Sequence, residues 1–199
     1  HIQAFWKNLV EGRACFNEIP SDRWSSEVFH SENPREFDRT YVRKAAFIED
    51  VESFAAMHFG IAPRRVEVMD PQHRLILDAV RVAVQDSGYE RRQLPLARVG
   101  TFIGASSSDH RLIMAARTLA MMASDGSLGE VVDPEALSKS VDRVAPVNSF
   151  SIPGSLINMA AANVAYQWKF GGPAYTLDAA CASALVAVHN AVTHIRAGM

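Results

Sequence analysis

The sequence predicts an α/β chain, and three observations carry that prediction. Two short runs, Val99-Gly100-Thr101-Phe102-Ile103-Gly104-Ala105 and Ala174-Tyr175-Thr176-Leu177-Asp178-Ala179, have the length and the β-branched or aromatic content of buried strands. Around them lie stretches whose apolar residues recur every three or four positions, the period of a helix. The second run passes straight into such a stretch. After Cys181, Leu185, Val188, Val192 and Ile195 fall on one helical face, and Gly198 is placed to end that helix.

Taken in order, residues 3–10 carry Phe5, Trp6, Leu9 and Val10 at helical spacing, closed by Gly12. Ile19-Pro20-Ser21-Asp22-Arg23-Trp24 reads as a turn with an aromatic anchor. Residues 25–46 are polar, with Pro34 in the middle, and predict a long irregular excursion. Phe47, Ile48, Val51, Phe54 and Phe59 are then the expected core anchors. Asp70-Pro71-Gln72-His73-Arg74-Leu75 opens a helix: Asp70 suits the N-cap, and Pro71 suits the first turn because it has no N–H to leave unpaired. Leu75, Ala79, Val82 and Ala83 are its expected buried stripe, His73 is expected on its surface, and Ser87-Gly88 closes it.

The loop Ser106-Ser107-Ser108-Asp109 follows the first strand. It lacks the lysine and glycine pattern of a phosphate loop, which argues against nucleotide binding. Residues 110–122, with Leu112, Met114, Leu119, Met121 and Met122, predict a helix whose methionines fill a core more often than they line a channel. Residues 124–145 read as a surface loop with a short helix near 135–139. Ser151-Ile152-Pro153-Gly154 leads into one long helix with Leu156, Ile157, Ala160, Ala161, Val164 and Trp168 inward, and its small residues permit close helix approach.

Composition narrows the function. A chain of 199 residues is long enough for an ordinary domain with a sizeable core. Its 48% apolar and 21% charged residues are normal for a soluble globular protein, and a net charge of −2 makes no general case for nucleic acid or an anionic membrane. Cys15 and Cys181 do not suggest a disulfide framework, so a reducing cytoplasm is the expected setting. No apolar run of about 18 residues is present to span a bilayer, and no signal-peptide pattern opens the chain. His1 in place of Met suggests a start inside a longer sequence. The basic pairs Arg64-Arg65 and Arg91-Arg92 fit solvated helix ends as well as an acidic partner.

Cys181 is where the chemistry concentrates. It sits where a strand hands over to a helix N-terminus, and unpaired N–H groups and the positive end of the helix dipole stabilise a thiolate there. The same amides can hold the oxyanion of a tetrahedral intermediate. Ala179, Ala180, Ala182, Ser183 and Ala184 leave room for a substrate. The competing reading is a small apolar cysteine packed under a helix. His189 and His194 lie five apart on this helix and point to different sides, and His189 runs along its flank rather than at the sulfur.

The stretch Asp178-Ala179-Ala180-Cys181-Ala182-Ser183-Ala184-Leu185-Val186-Ala187 closely resembles the active-site segment of the β-ketoacyl synthases, the ketosynthase domains of polyketide and fatty-acid synthases. Many of these read Asp-Thr-Ala-Cys-Ser-Ser-Ser-Leu-Val-Ala, so three positions here are replaced by alanine while the cysteine stays. Its retention separates the chain from the chain-length-factor relatives that lack it. Asp70-Pro71-Gln72-His73-Arg74 resembles the family's Asp-Pro-Gln-Gln-Arg, with His73 as the departure. The Phe5–Gly12 run and the Ile19–Trp24 run resemble the opening region of modular ketosynthases.

The resemblance implies a thiolase-like layered α/β/α fold, with residues 1–199 an N-terminal half of one ketosynthase domain. A first strand and a C-terminal half, with two catalytic histidines, a lysine and a second oxyanion donor, are absent from it. It implies Cys181 as the acyl-accepting nucleophile, Ser107 as a residue of the acyl pocket where some relatives carry a bulky gating side chain, and Ser151 as the residue that in some relatives reaches the partner's acyl pocket. It also implies no metal and no bound cofactor, substrates arriving on the phosphopantetheine arm of an acyl carrier protein. A homodimer would form through the Ala174–Ala179 strand and the helix before it. The activity implied is decarboxylative Claisen condensation with a malonyl-type thioester, for which this piece alone is not expected to suffice. Two other readings stay open: a ketosynthase-like domain that only transfers or gates acyl chains, and a structural dimerisation scaffold with an inert Cys181.

Overall fold

The computed structural model describes residues 2–21, 23–48, 50–89, 93–124, 133, 135 and 147–199. They form two compact units, one up to Val51 and one from Glu52 onward. In the first, helix α1 (Ile2–Val10) ends at Gly12, whose φ of +60° is open to glycine at no steric cost. Strand β1 (Asn17–Glu18) pairs antiparallel with β2 (Lys44–Ala45), Asn17 opposite Ala45. Between them lie the short helix α2 (Ser26–Phe29) and a single bridge from His30 to Thr40. The expected irregular excursion is therefore stapled at its base, and Trp24 stacks on Phe29 at 5.6 Å. Ile48, an expected core anchor, is 65% exposed.

The second unit carries the core. Its elements are α3 (Pro63–Val66), α4 (Pro71–Asp86), β3 (Thr101–Gly104), α5 (Asp109–Ser124), α6 (Ser151–Ser155), α7 (Met159–Trp168), β4 (Ala174–Leu177) and α8 (Ser183–Arg196). Strands β3 and β4 pair in parallel, Thr101 with Ala174 through Gly104 with Leu177. A parallel pair needs a long crossover, and the chain from α5 to α7 supplies it. Helix α7 packs on both strands and on α4, while α8 packs on β3. Phe59, Ile61, Met69, Leu77 and Val164 form the buried cluster, with Phe54, Trp168 and Phe170 against it.

Three details differ from expectation, each for a physical reason. On α4 the buried row is His73 and Leu77, with Ile76 and Val80 beside it, while Leu75 and Val82 face outward. The helix is apolar on two sides, and α7 selects the one that meets Val164 and Met69. The one long helix expected after Ser151–Gly154, with Leu156 to Trp168 inward, is two helices separated at an extended Leu156. At the break the Gly154 carbonyl accepts from the Asp70 N–H at 2.8 Å, tying the end of α6 to the start of α4. On α8 the inward residues are Ser183 and Ala187, and the Leu185, Val188, Val192, Ile195 face is exposed. Small residues win the inward side because β3 lies so close: a Cβ on Gly104 would fall 2.5 Å from the Ser183 backbone.

Of the α5 methionines, Met114 is buried, whereas Met121 and Met122 are exposed. Most of the predicted short helix near 135–139, and both Arg91 and Arg92, lie outside the described residues. No helix among the described residues is long and apolar enough to cross a membrane.

Candidate active site

The end of β4 sets the site. After Leu177 the chain makes a tight reversal through Asp178 and Ala179 into a 3₁₀ turn, Ala180–Ala182, that runs directly into α8. Ala180 takes a φ of +49°, a left-handed conformation that costs a residue with a Cβ roughly 1–2 kcal/mol. Local hydrogen bonds hold it there. The Ala180 N–H donates to Asp178 Oδ1 at 2.8 Å, and the Ala179 N–H donates to Ser183 Oγ at 2.9 Å. The Ser183 hydroxyl in turn donates to the Ala180 carbonyl at 2.7 Å, and Ser183 is buried. Cys181 is the middle residue of this turn, exposed, with a free thiol. Its N–H finds no acceptor among the described residues.

The loop after β3 lies against this turn. Ala105 N–H donates to the Leu177 carbonyl at 3.0 Å, carrying the strand pairing one residue further. The Ser106 side chain lies near enough to Asp178 to favour its charged form. The Ala180 N–H first, and Ser106 second, stabilise the Asp178 carboxylate and hold its pKa below the usual carboxylate value. Ser107 is exposed, and its carbonyl accepts from Gln72 Nε2 at 3.0 Å. The Ser108 hydroxyl donates to Asp70 Oδ2.

Asp70 is the N-cap of α4 as expected, accepting from the Gln72 N–H at 2.7 Å, and it is 2% exposed. His73, expected on the helix surface, is instead 2% exposed in the core. Neither ring nitrogen has a hydrogen-bond partner among the described residues. Burial lowers its pKa; Asp70 and the Leu156 backbone pull the other way, and His110 adds to the lowering. His110 itself approaches the Val68 carbonyl through Nε2 at 3.2 Å.

Ser151, the other expected pocket residue, is 7% exposed at the start of α6, where its Oγ accepts from the Asn148 N–H at 2.8 Å. No hydrogen bond among the described residues joins it to the Cys181 turn, whereas Ser107 belongs to the loop whose Ala105 N–H bonds the end of β4. His189 is exposed, and His194 packs against Phe102 and Tyr175 with ring centroids at 4.9 and 6.1 Å. Arg65, read as a helix end, donates to the buried Asn163 Oδ1 at 2.7 Å. Among the described residues, no three metal-ligating side chains converge. The roles of Asp178, Ser106 and Ser183 were the ones sequence reasoning missed. The available signal was short-range: an aspartate two residues before an amide, and a serine two after Cys181.

Comparison with known proteins matches this arrangement to one family. The family model for the β-ketoacyl synthase N-terminal domain matches residues 1–199. Polyketide synthase ThaG of Burkholderia thailandensis is 34% identical over 197 residues, 99% of this chain and 3% of that protein. Polyketide synthase PksN of Bacillus subtilis is 30% identical over 197 residues, again 99% of this chain and 3% of its own length. Among solved structures, the oxazolomycin ketosynthase domain OzmH KS7 of Streptomyces albus superposes with a TM-score of 0.77 at 29% identity, covering 99% of this chain and 30% of that one. The ketosynthase from module 6 of the bacillaene synthase of Bacillus subtilis gives a TM-score of 0.67 at 25% identity, over 97% of this chain and 26% of that one. The chain thus spans less than a third of the solved chains it resembles and a few per cent of these curated relatives.

Proposed function

Because the chain belongs to the β-ketoacyl synthase family, as its N-terminal domain, we propose that Cys181 is the acyl-accepting nucleophile of a polyketide-synthase ketosynthase. The observation that carries this reading is the exposed thiol in a braced turn between a parallel strand and the N-terminus of α8. Peptide N–H groups at such a terminus favour negative charge on an attacking sulfur and on the oxygen of a tetrahedral adduct.

In this mechanism the Cys181 sulfur attacks the thioester carbonyl of an acyl group carried on phosphopantetheine. The tetrahedral adduct collapses, the carrier thiol leaves with a proton, and the acyl group stays on Cys181. A malonyl-type thioester then loses CO2, and its carbanion attacks the acyl carbonyl. A C–C bond forms, the C–S bond breaks, and the thiolate returns. The unpaired Cys181 N–H is one oxyanion donor, and losing one such donor costs about 3 kcal/mol of barrier. By family resemblance, the histidines that assist decarboxylation lie outside residues 1–199. Ser107 is assigned to the acyl pocket and Ser151 to the acyl pocket of the partner subunit, and their small size favours longer or branched chains. The dimer contact is assigned to the free edge of β4 together with α7. An acyl carrier protein is the expected partner.

The test is covalent labelling of the full-length protein with an acyl-carrier thioester or cerulenin, read by mass spectrometry of the Cys181 peptide. The added mass is expected on that peptide and is expected to vanish in Cys181→Ala. Label on other residues with Cys181 unmodified would overturn the assignment. Acylation of Cys181 without CO2 release from a malonyl thioester would mark transfer without condensation.

A further inference from the structure

The nucleophile turn does not stand on its own hydrogen bonds. Its Asp178 carboxylate accepts from the Ala180 N–H at 2.8 Å, and the neighbouring loop joins the end of β4 where the Ala105 N–H donates to the Leu177 carbonyl at 3.0 Å, with Ser106 beside Asp178. Ser106 belongs to a loop whose next two residues are each gripped by the start of α4. Gln72 Nε2 holds the Ser107 carbonyl at 3.0 Å, and the buried Asp70 carboxylate holds the Ser108 hydroxyl. Asp70 is itself fixed from two sides, by the Gln72 N–H at 2.7 Å and, through its own N–H, by the Gly154 carbonyl at 2.8 Å. Contacts therefore run from the core-anchored cap of α4, through the loop of three consecutive serines, to the end of β4 that leads into the Cys181 turn.

The inner end of this path is buried and its outer end is exposed. Asp70 is almost wholly buried, whereas Ser106, Ser107 and Asp178 are exposed. Each exposed link competes with water and is individually modest. Their combined use is positional, because Ala180 must be kept in an unfavourable left-handed conformation for Cys181 to face outward at the helix start. We propose that the Asp70-Pro71-Gln72 cap and the Ser106–Ser108 loop form a brace that fixes the Cys181 sulfur, making Gln72 and Ser106 positioning residues for its reactivity. This rests on the reading of Cys181 as the nucleophile, but its test needs no acyl transfer.

The measurement is the iodoacetamide alkylation rate of Cys181 relative to Cys15 in the full-length protein, followed peptide by peptide. Cys15 is also exposed and lies in the other unit, so it reports any general change in reagent or folding. Ser106→Ala and Gln72→Met are each expected to slow Cys181 about fivefold against Cys15, the equivalent of one net hydrogen bond. Ser106→Thr keeps the hydroxyl and is expected to restore the ratio, which a purely bulk-stability role would not require. An unchanged ratio in both Ser106→Ala and Gln72→Met would overturn the brace, even if Cys181 accepts an acyl group. A fallen ratio in a protein whose Cys181 takes no acyl group would uphold the brace and remove the nucleophile reading instead.

Discussion

His73 is a residue whose surroundings decide its behaviour. It stands in the first turn of α4, just after the Asp70 cap, with both ring nitrogens buried. Its pKa in the folded chain lies below the ordinary histidine value of about 6.5, burial being the largest cause. The unfolded chain therefore binds the proton more readily than the folded one. Stability is whole above the unfolded value and is lost as the pH falls from there toward the folded value. The urea midpoint is expected to drop on going from pH 7.5 to pH 5.5, roughly the window in which an unfolded histidine gains its proton. His73→Gln, which cannot titrate, is expected to lose less over the same interval. Equal losses in both proteins would place the acid sensitivity elsewhere. Sequence pattern alone assigned this histidine to the surface because imidazole counts as polar in any periodicity. The burial is decided by contacts from other elements, which a one-dimensional pattern does not contain.

At the scale of the element, α4 shows what was legible and what was not. Its start was readable from the residues, since Asp70 and Pro71 act within one turn and need no distant partner. The same holds for the ends at Gly88 and Gly198, both at positive φ, and for strands β3 and β4. Which face turns inward was not readable. Leu75, Ala79 and Val82 make one apolar row and Leu77, Val80 and Val84 another, and only the position of α7 and the Phe59–Met69 cluster separates them. Substitution tells the rows apart. Leu77→Ala is expected to cost about 2–5 kcal/mol, a buried leucine truncated to a cavity. Val82→Ala, on the outward row, is expected to stay within about 0.5 kcal/mol. Denaturant titration of the two variants checks this, and equal costs would contradict the observed packing. The candidate site divides the same way: the exposed cysteine at a strand-to-helix junction was legible, whereas the Ser106–Asp178 link joins positions 72 residues apart (178 − 106) and was not.

At the scale of the whole molecule, the outer row of α8 is the feature that most needs an explanation. Leu185 is 77% exposed and Ile195 76%, with Val188 and Val192 between them on the same face. Four apolar side chains in one helical stripe form the kind of contiguous patch that soluble proteins seldom leave in water. The inward side of the helix is already committed to β3 through Ser183 and Ala187, so rotating the helix cannot hide the stripe without separating it from the sheet. The chain matches the N-terminal domain of a family whose solved relatives are more than three times its length, so a further part of the ketosynthase domain is the proposed cover. In that case Leu185→Lys places an ammonium in a packed interface one turn below Cys181. Leaving a charge buried without a partner is strongly destabilising. The full-length variant is expected to melt several degrees lower, by about 4–8 °C for each kcal/mol lost from a domain of roughly 100 residues and less for a larger one. The same substitution in residues 1–199 alone is expected to leave the melting temperature within a degree or two and to reduce binding of a hydrophobic dye, since there the stripe faces solvent. An unchanged melting temperature in the full-length protein would show that α8 keeps its apolar face in water.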